Sequence, residues 1–240
     1  MIYRGVIHFH SEFSMDSVSS IKNIVDEAIS EGLNFLILTD HNTIKGSLKL
    51  KKYLEQNSIR IKTVIAAEYK TSLGDIIALN IQKEIENMEF EYFIKEVKNQ
   101  GGILLFPHPY KDHKDVHIIA NKVDMIEVFN SRVDRDKNNK AEQLALKFKL
   151  NSYASPDAHC INEIKNCIIE FEGNEDLIDS MINNKISISK KRYTKIFYIY
   201  RSQIIKGFKT KNFLLITKQL IKLVILIVSF KFYKTTEGYK

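Results

Sequence analysis

Cysteine, proline and glycine are all scarce in this 240-residue chain, and each scarcity removes a class of protein. Two cysteines, Cys160 and Cys167, are too few for a disulfide framework. That sets aside the small cross-linked secreted folds and fits a reducing, cytoplasmic setting. Three prolines and nine glycines leave little room for flexible linkers. Met1–His10 holds no long apolar stretch ending in small residues, so no secretory leader is expected. No internal repeat is present, and no low-complexity segment outside the C-terminal tail. What is there is a globular composition, 44% hydrophobic and 27% charged, long enough to bury one sizeable core. One catalytic domain is the economical expectation.

Charge is unevenly placed. Residues 184–240 hold 14 Lys and Arg against one acid, Glu237, a net of +13; since the whole chain is +7, residues 1–183 carry −6. The expected organisation is therefore an acidic catalytic domain over 1–183 and a basic, helical C-terminal extension over 184–240. A nucleic-acid-binding reading from the overall positive charge does not apply to the body.

Within the body, short apolar runs alternate with amphipathic stretches. Gly5–His10 reads as a strand. Ser19–Glu31 reads as a helix, with Ile21, Ile24, Val25, Ala28 and Ile29 on one face and Ser19 or Ser20 as its cap. Leu33–Leu38, Ile61–Ala67, Asp75–Ile81, Ile103–Phe106, Val123–Phe129, Ser152–Ser155 and Cys167–Phe171 are the further strands. Helices are expected near Ile44–Gln56, Met88–Asn99, Lys137–Lys149 and Asp176–Asn183. This alternation argues for an α/β fold with a parallel sheet, open or closed into a barrel.

Polar residues gather at the strand ends. His8 and His10 flank Phe9, and alternate side chains on a strand share a face. Asp16 follows in the next loop. Thr39-Asp40-His41 ends the second strand, Glu68 the third, and His108 stands between Pro107 and Pro109 after Ile103–Phe106. Asp157-Ala158-His159 ends a late strand. Loops at the carboxyl ends of strands build the active sites of parallel α/β folds. Each element alone has a plainer reading. An isolated H-x-H more often packs or faces solvent, Glu68 suits a helix cap or salt bridge, and His108 a rigid loop. Together, imidazoles and carboxylates without thiolates suit Zn, Mn or Fe in a hydrolytic site.

The ordered set H-F-H…D, T-D-H, E, P-H-P, D-A-H resembles the PHP (polymerase and histidinol phosphatase) family from Gly5 to about His159. The resemblance implies a distorted (β/α)7 barrel, two or three divalent metal ions (Zn, Mn or Fe), and His8, His10, Asp16, His41, Glu68, His108, Asp157 and His159 as metal ligands. Where many relatives place a further histidine ligand, this chain has Asn130, within E-V-F-N-S-R. The number of ions, two or three, turns on that position.

The chemistry expected is phosphoester hydrolysis, of a phosphomonoester or a phosphodiester, by a metal-activated hydroxide. Divalent ions bring the pKa of a bound water from about 15.7 toward 7 and neutralise phosphoryl oxygens. Asp157 and His159 are candidates for handling a proton near the leaving group. Arg132 is the candidate phosphate clamp, weighed evenly against a surface salt bridge to Asp134 or Asp136. Asp40 is open between orienting a ligand and holding a turn. Asp112 and His113 are read as loop residues, and Cys160 as a buried free thiol rather than a ligand.

In the extension, Phe213–Phe230 is strongly apolar but interrupted by lysines. On a helix, Lys211, Lys218, Lys222 and Ser229 fall along one side. A spanning helix would bury Lys222 near its middle at a cost of about 3 kcal/mol. A helix lying on anionic lipid through residues 205–232, peripheral at the inner membrane surface, is weighed evenly against a helix packed on the barrel or on a second subunit. Tyr193, Phe197, Tyr198 and Tyr200 suit base stacking or a buried strand. The expected partner is a small phosphorylated substrate or nucleotide, with nucleic acid ranked lower. A non-catalytic metal-binding module, docking a membrane or partner through its tail, is the rival reading.

Overall fold

The computed structural model describes residues 1–237, with side chains described as far as Val228. Ser229 and the tail beyond it lie outside the described side chains. The chain begins with β1 (Ile2–Ile7), α1 (Ile21–Ser30), β2 (Phe35–Ile37) and α2 (Lys45–Gln56). In α1, Ile21, Ile24, Val25 and Ala28 point inward, and the Ser20 hydroxyl accepts from the Asn23 amide to cap the first turn. Ile29, expected on that face, is 54% exposed at its edge.

There follow β3 (Ala66–Thr71), β4 (Gly74–Leu79), α3 (Phe90–Asn99), β5 (Ile103–Phe106), α4 (Val116–Ala120), β6 (Met125–Asn130), α5 (Arg135–Phe148) and β7 (Asn151–Ser155). The chain continues through α6 (Ile161–Ile164), β8 (Cys167–Glu172), α7 (Leu177–Asn183), β9 (Ser187–Lys191), α8 (Ile196–Lys209) and α9 (Phe213–Glu237).

The strands form two sheets, ordered β2-β1-β8-β9 and β3-β4-β5-β6-β7. The expectation of a parallel sheet is corrected. Only β1–β2, β5–β6 and β6–β7 run parallel; the other four pairings are antiparallel. The reason at β3–β4 is local. Thr71 pairs with Gly74, so two residues make the turn, and so short a connection can only reverse the chain. Among the described residues no continuous ladder closes a barrel. Isolated parallel bridges Phe9–Ala158 and His41–Glu68 join the two sheets beyond the ends of β1, β7 and β2, and Phe35–Lys62 lies along the free side of β2.

Alternation along each strand sorts the side chains into layers. Tyr3, Ile7, Ile37, Ile77, Leu105, Tyr153 and Ile169 share one interior between the two sheets. Ile76, Ala78, Leu104 and Ile126 face the other way, onto Phe93 and Val97 of α3 and Leu144 of α5. Val6 and Leu36 pack outward on Ile24, Val25 and Leu50 of α1 and α2.

The charge step at residue 184 falls inside this architecture. Ser187–Lys191 of the basic stretch pair with β8 as the edge of the first sheet. The aromatics Tyr193, Phe197, Tyr198 and Tyr200 lie just before and on α8 rather than in a strand, and Tyr193 packs edge-on against Phe129. The helix α9 lies on α8 rather than on a sheet, with Ile216 seated against Gly207. No helix among the described residues is long and apolar enough to cross a membrane.

Candidate metal centre

All eight residues proposed as ligands converge at one end of the strands. His8 follows β1 in a left-handed backbone conformation (φ 62°), and His108 (φ 28°) and Asp157 (φ 47°) depart from β5 and β7 in the same region. Positive φ costs a residue with a Cβ of order 1–2 kcal/mol, and such strain is held where the surroundings over-determine it. The simple strand alternation expected for His8 and His10 is corrected accordingly. The strand ends at Ile7, and the turn at His8, with Phe9 buried beneath, brings both rings inward. Glu68 is also placed differently: it lies within β3, not at its end, because that strand runs on to the hairpin at Thr71.

Three carboxylates organise the cluster. Glu68 Oε2 stands 3.4 Å from His8 Nε2, 3.5 Å from His10 Nε2 and 3.1 Å from His41 Nδ1, while its Oε1 is 3.1 Å from His108 Nε2. Asp157 Oδ1 stands 3.4 Å from both His8 Nε2 and His10 Nε2. Asp16 Oδ2 lies between His41 Nε2 at 3.3 Å and His159 Nε2 at 3.2 Å.

The titration of these groups reflects the crowding. Burial opposes charge on His8, but Asp157, Glu68 and Glu127 together hold its pKa well above the usual imidazole value. Burial, with His159 and His41 beside it, pushes His10 down to about 3. Burial would raise Glu68 and Asp157, yet the surrounding cations keep both well below the usual carboxylate range.

These residues fit divalent ions. His8 Nε2, His10 Nε2, Asp16 Oδ1, Glu68 Oε2 and His108 Nδ1 are buried without a hydrogen-bond partner, an expensive state unless a cation satisfies them. Donor atoms around a tetrahedral ion with bonds near 2.0–2.1 Å lie about 3.3 Å apart, close to the separations above. Donor atoms of His10, His41 and His159, of His8, His108 and Asp157, and of His8, His10 and Glu68 each lie within 4.8 Å of one another.

A supporting layer, not singled out from the sequence, fixes the rings. The buried Glu127 carboxylate accepts from His8 Nδ1–H (2.9 Å), the His108 amide (2.7 Å), Asn130 Nδ2 (2.9 Å) and the Ser155 hydroxyl. The His8 bond leaves Nε2 as the atom facing the cluster. His159 is fixed in the same sense, donating from Nδ1 to the Asp157 carbonyl at 2.8 Å. Asn130 donates to Glu127 and to Asp157 Oδ2 (3.2 Å), while its own oxygen accepts from the Arg132 amide (2.9 Å). As arranged, it presents a donor to the cluster and holds carboxylates in place.

Asp40 acts through a serine. It accepts from the Ser11 amide and hydroxyl and from Ser14 Oγ, which meets His10 Nδ1 at 3.1 Å and the His41 amide at 3.0 Å. The turn role and the orienting role are thus one network.

Arg132 is not in a surface salt bridge. Asp134 and Asp136 pair with Lys137 and Lys140. Arg132 Nε instead lies 3.4 Å from Glu163, and its Nη2 donates to Ser202 Oγ (2.6 Å) and the Tyr198 carbonyl (3.2 Å) on α8. Glu163 also receives the His159 and Cys160 amides. Cys160 is a buried thiol pushed up to about 12 by burial and by Glu163. His113, read as a loop residue, stands beside His108 with ring centroids 5.5 Å apart and is bonded to the Asp75 carbonyl.

Above the cluster is a cavity of about 440 Å³. Its walls include Arg132 and Asp112, and also Lys111, 3.6 Å from Asp157. Its roof is α8, through Ile199, Gln203 and Lys206. Lys209 anchors that helix, donating to the Glu12, Ser14 and Ser17 carbonyls around the Asp16 loop at 2.7 Å each.

Fold and site together define an α/β protein with a cluster of imidazoles and carboxylates under a small cavity. The chain belongs to the PHP domain family, whose family model matches residues 7–234. An uncharacterized Methanocaldococcus jannaschii protein, MJ1587, is 33% identical over 133 residues, 54% of this chain and 77% of that one. A Bacteroides vulgatus two-domain protein, described as containing a predicted PHP-like metal-dependent phosphoesterase, superposes with TM-score 0.67 and 19% identity. That match covers 80% of this chain and 65% of the other. A lesion-specific endonuclease from Pyrococcus furiosus gives TM-score 0.58 and 14% identity, over 78% of this chain and 58% of the other. At these identities the likeness is one of fold.

Proposed function

We propose that the chain is a metal-dependent phosphoesterase holding two or three divalent ions (Zn, Mn or Fe), its two sheets being the halves of a distorted barrel. The observation that carries this is the set of buried, unpartnered donor atoms on His8, His10, Asp16, Glu68 and His108, with donors of His8, His10 and Glu68 lying within 4.8 Å of one another. His41, Asp157 and His159 complete the ligand set, and Glu68 is placed to bridge. When bound, such ions supply charge neutralisation for a phosphoryl group and acidify a coordinated water.

The chain's own residues do the rest. Arg132, oriented by Glu163 and Ser202, presents its guanidinium to the cavity as the phosphate clamp. Asp157, held ionised, suits ligation better than proton donation. His159, at the cavity wall with its Nδ1 taken by the Asp157 carbonyl, can handle the leaving-group proton only through Nε2, in place of ligating an ion there. The small cavity favours a small phosphomonoester or a nucleotide over a long polymer; the Pyrococcus relative's activity keeps phosphodiesters among the substrates to be tried. The test is metal analysis of purified protein, then a phosphoester panel with added Mn or Zn. His10→Ala and Asp157→Ala are expected to lose metal and activity together. Full activity in both metal-stripped variants would reject the reading.

A second surface supports a separate reading of the extension, contact with anionic lipid through α9. Phe213 (74% exposed), Leu214 (80%), Ile221, Val224, Ile225 and Val228 leave one side of the helix bare. Ile216 and Gln219 face α8, and Lys218 and Lys222 flank the bare side in a segment of net charge +13.

A further inference from the structure

We propose that Lys206, with Gln203 one turn before it on α8, binds an anionic group of the substrate distinct from the phosphoryl group at the metal cluster. The inference deepens the phosphoesterase reading and rests on it for the identity of that phosphoryl group.

Four cations line the cavity: Lys70, Lys111, Arg132 and Lys206. Three of them have carboxylate partners, Lys70 with Asp75 at 3.4 Å, Lys111 with Asp157 at 3.6 Å, and Arg132 with Glu163 at 3.4 Å. Among the described residues Lys206 has none within 4.0 Å. A half-buried lysine left unpaired beside a cavity is an anion site by its chemistry, since a ligand charge supplies what the protein does not.

The helix that carries Lys206 is held in place rather than loosely draped. Lys209, one turn on, spends its three donors on the carbonyls of Glu12, Ser14 and Ser17. Four residues before Lys206, Ser202 binds Arg132. Lys206 is therefore positioned relative to both the Asp16 loop and the phosphate clamp. Gln203 adds an amide donor to the same wall. The roof thus sets a second charge requirement, and the substrate class is a small phosphoester that also carries a carboxylate or a second phosphate.

The test measures binding by calorimetry on the metal-loaded full chain, using phosphonoacetate, 3-phosphonopropionate and 4-phosphonobutyrate against the alkylphosphonates of equal length. At least one carboxylate is expected to bind about tenfold or more tighter than its alkyl counterpart, as a charge-assisted contact would give. Lys206→Ala should erase that preference while leaving alkylphosphonate affinity within about twofold, and Lys206→Arg should restore it. No preference in the unmodified protein, or a preference that survives Lys206→Ala, overturns the proposal. A preserved preference with no hydrolysis of any phosphoester would overturn the phosphoesterase reading and leave the anion site standing.

Discussion

At the scale of single residues, Glu127 shows how much of the imidazole and carboxylate cluster is held from behind. It touches none of the cavity, yet it fixes His8 and the His108 backbone and receives Asn130. A glutamine there would turn one acceptor oxygen into a donor facing other donors. Glu127→Gln is expected to weaken metal binding about 10–100-fold with little change in fold, as read by competition with a chromophoric chelator. Unchanged affinity would refute its role. The metal-stripped protein should also show a stability maximum near pH 6.5. His10 and His113, held at about 3 and about 4, bind fewer protons folded than unfolded, so stability rises with pH up to the ordinary imidazole pKa of about 6.5. The depressed carboxylates add to that rise at lower pH. His8 and His41, held well above the ordinary value, favour the folded state below it and lose that contribution as pH climbs through their folded values. Melting temperatures from pH 5 to 9 check this; a monotonic curve would contradict it.

At the scale of elements, close backbone approach controls the site more than helix or strand propensity does. Gly46 opens α2 directly over Asp40, and a Cβ there would overlap the Asp40 carboxylate and crowd Ser11 Oγ. Gly46→Ala is expected to lower stability by about 1–3 kcal/mol in denaturant melts, through overpacking, and to reduce metal retention through the Ser14–His10 link. An unperturbed melt would show that the Asp40 loop gives way freely. Strand, helix and strand-end donors were legible in the sequence because apolar period and residue type are local properties. Strand direction was not, since β4 and β8 carry the same apolar pattern whichever way they run. The short elements α4, α6 and β9 also escaped notice; β9 reads Ser-Ile-Ser-Lys-Lys, and only its pairing with β8 makes it a strand.

At the scale of the whole molecule, the basic extension divides into two parts with different work. The helix α8 is wired into the site by Lys209, Ser202 and Tyr198, while α9 stands outward with its bare apolar side. Removing residues 212–240 should therefore abolish flotation with anionic liposomes and leave phosphoester hydrolysis within about twofold. Lys218→Glu with Lys222→Glu should cut flotation alone. Equal flotation of the truncated protein would reject lipid contact. A loss of self-association instead would mean that a second copy covers α9.

The sequence by itself determined which atoms the site contains. Imidazole and carboxylate donors in a fixed order and an alternation of strands and helices are written residue by residue, and so was the resemblance they carry. Only the tertiary structure decided how those donors are held and what covers them. Glu127 meets His8 across 119 residues, and Lys209 meets the Asp16 loop across more than 190. Such pairings depend on where distant backbones come to rest, which no local pattern encodes. For the same reason Lys206 reads as one lysine of a basic tail in the sequence, and as the roof of a cavity only in the fold.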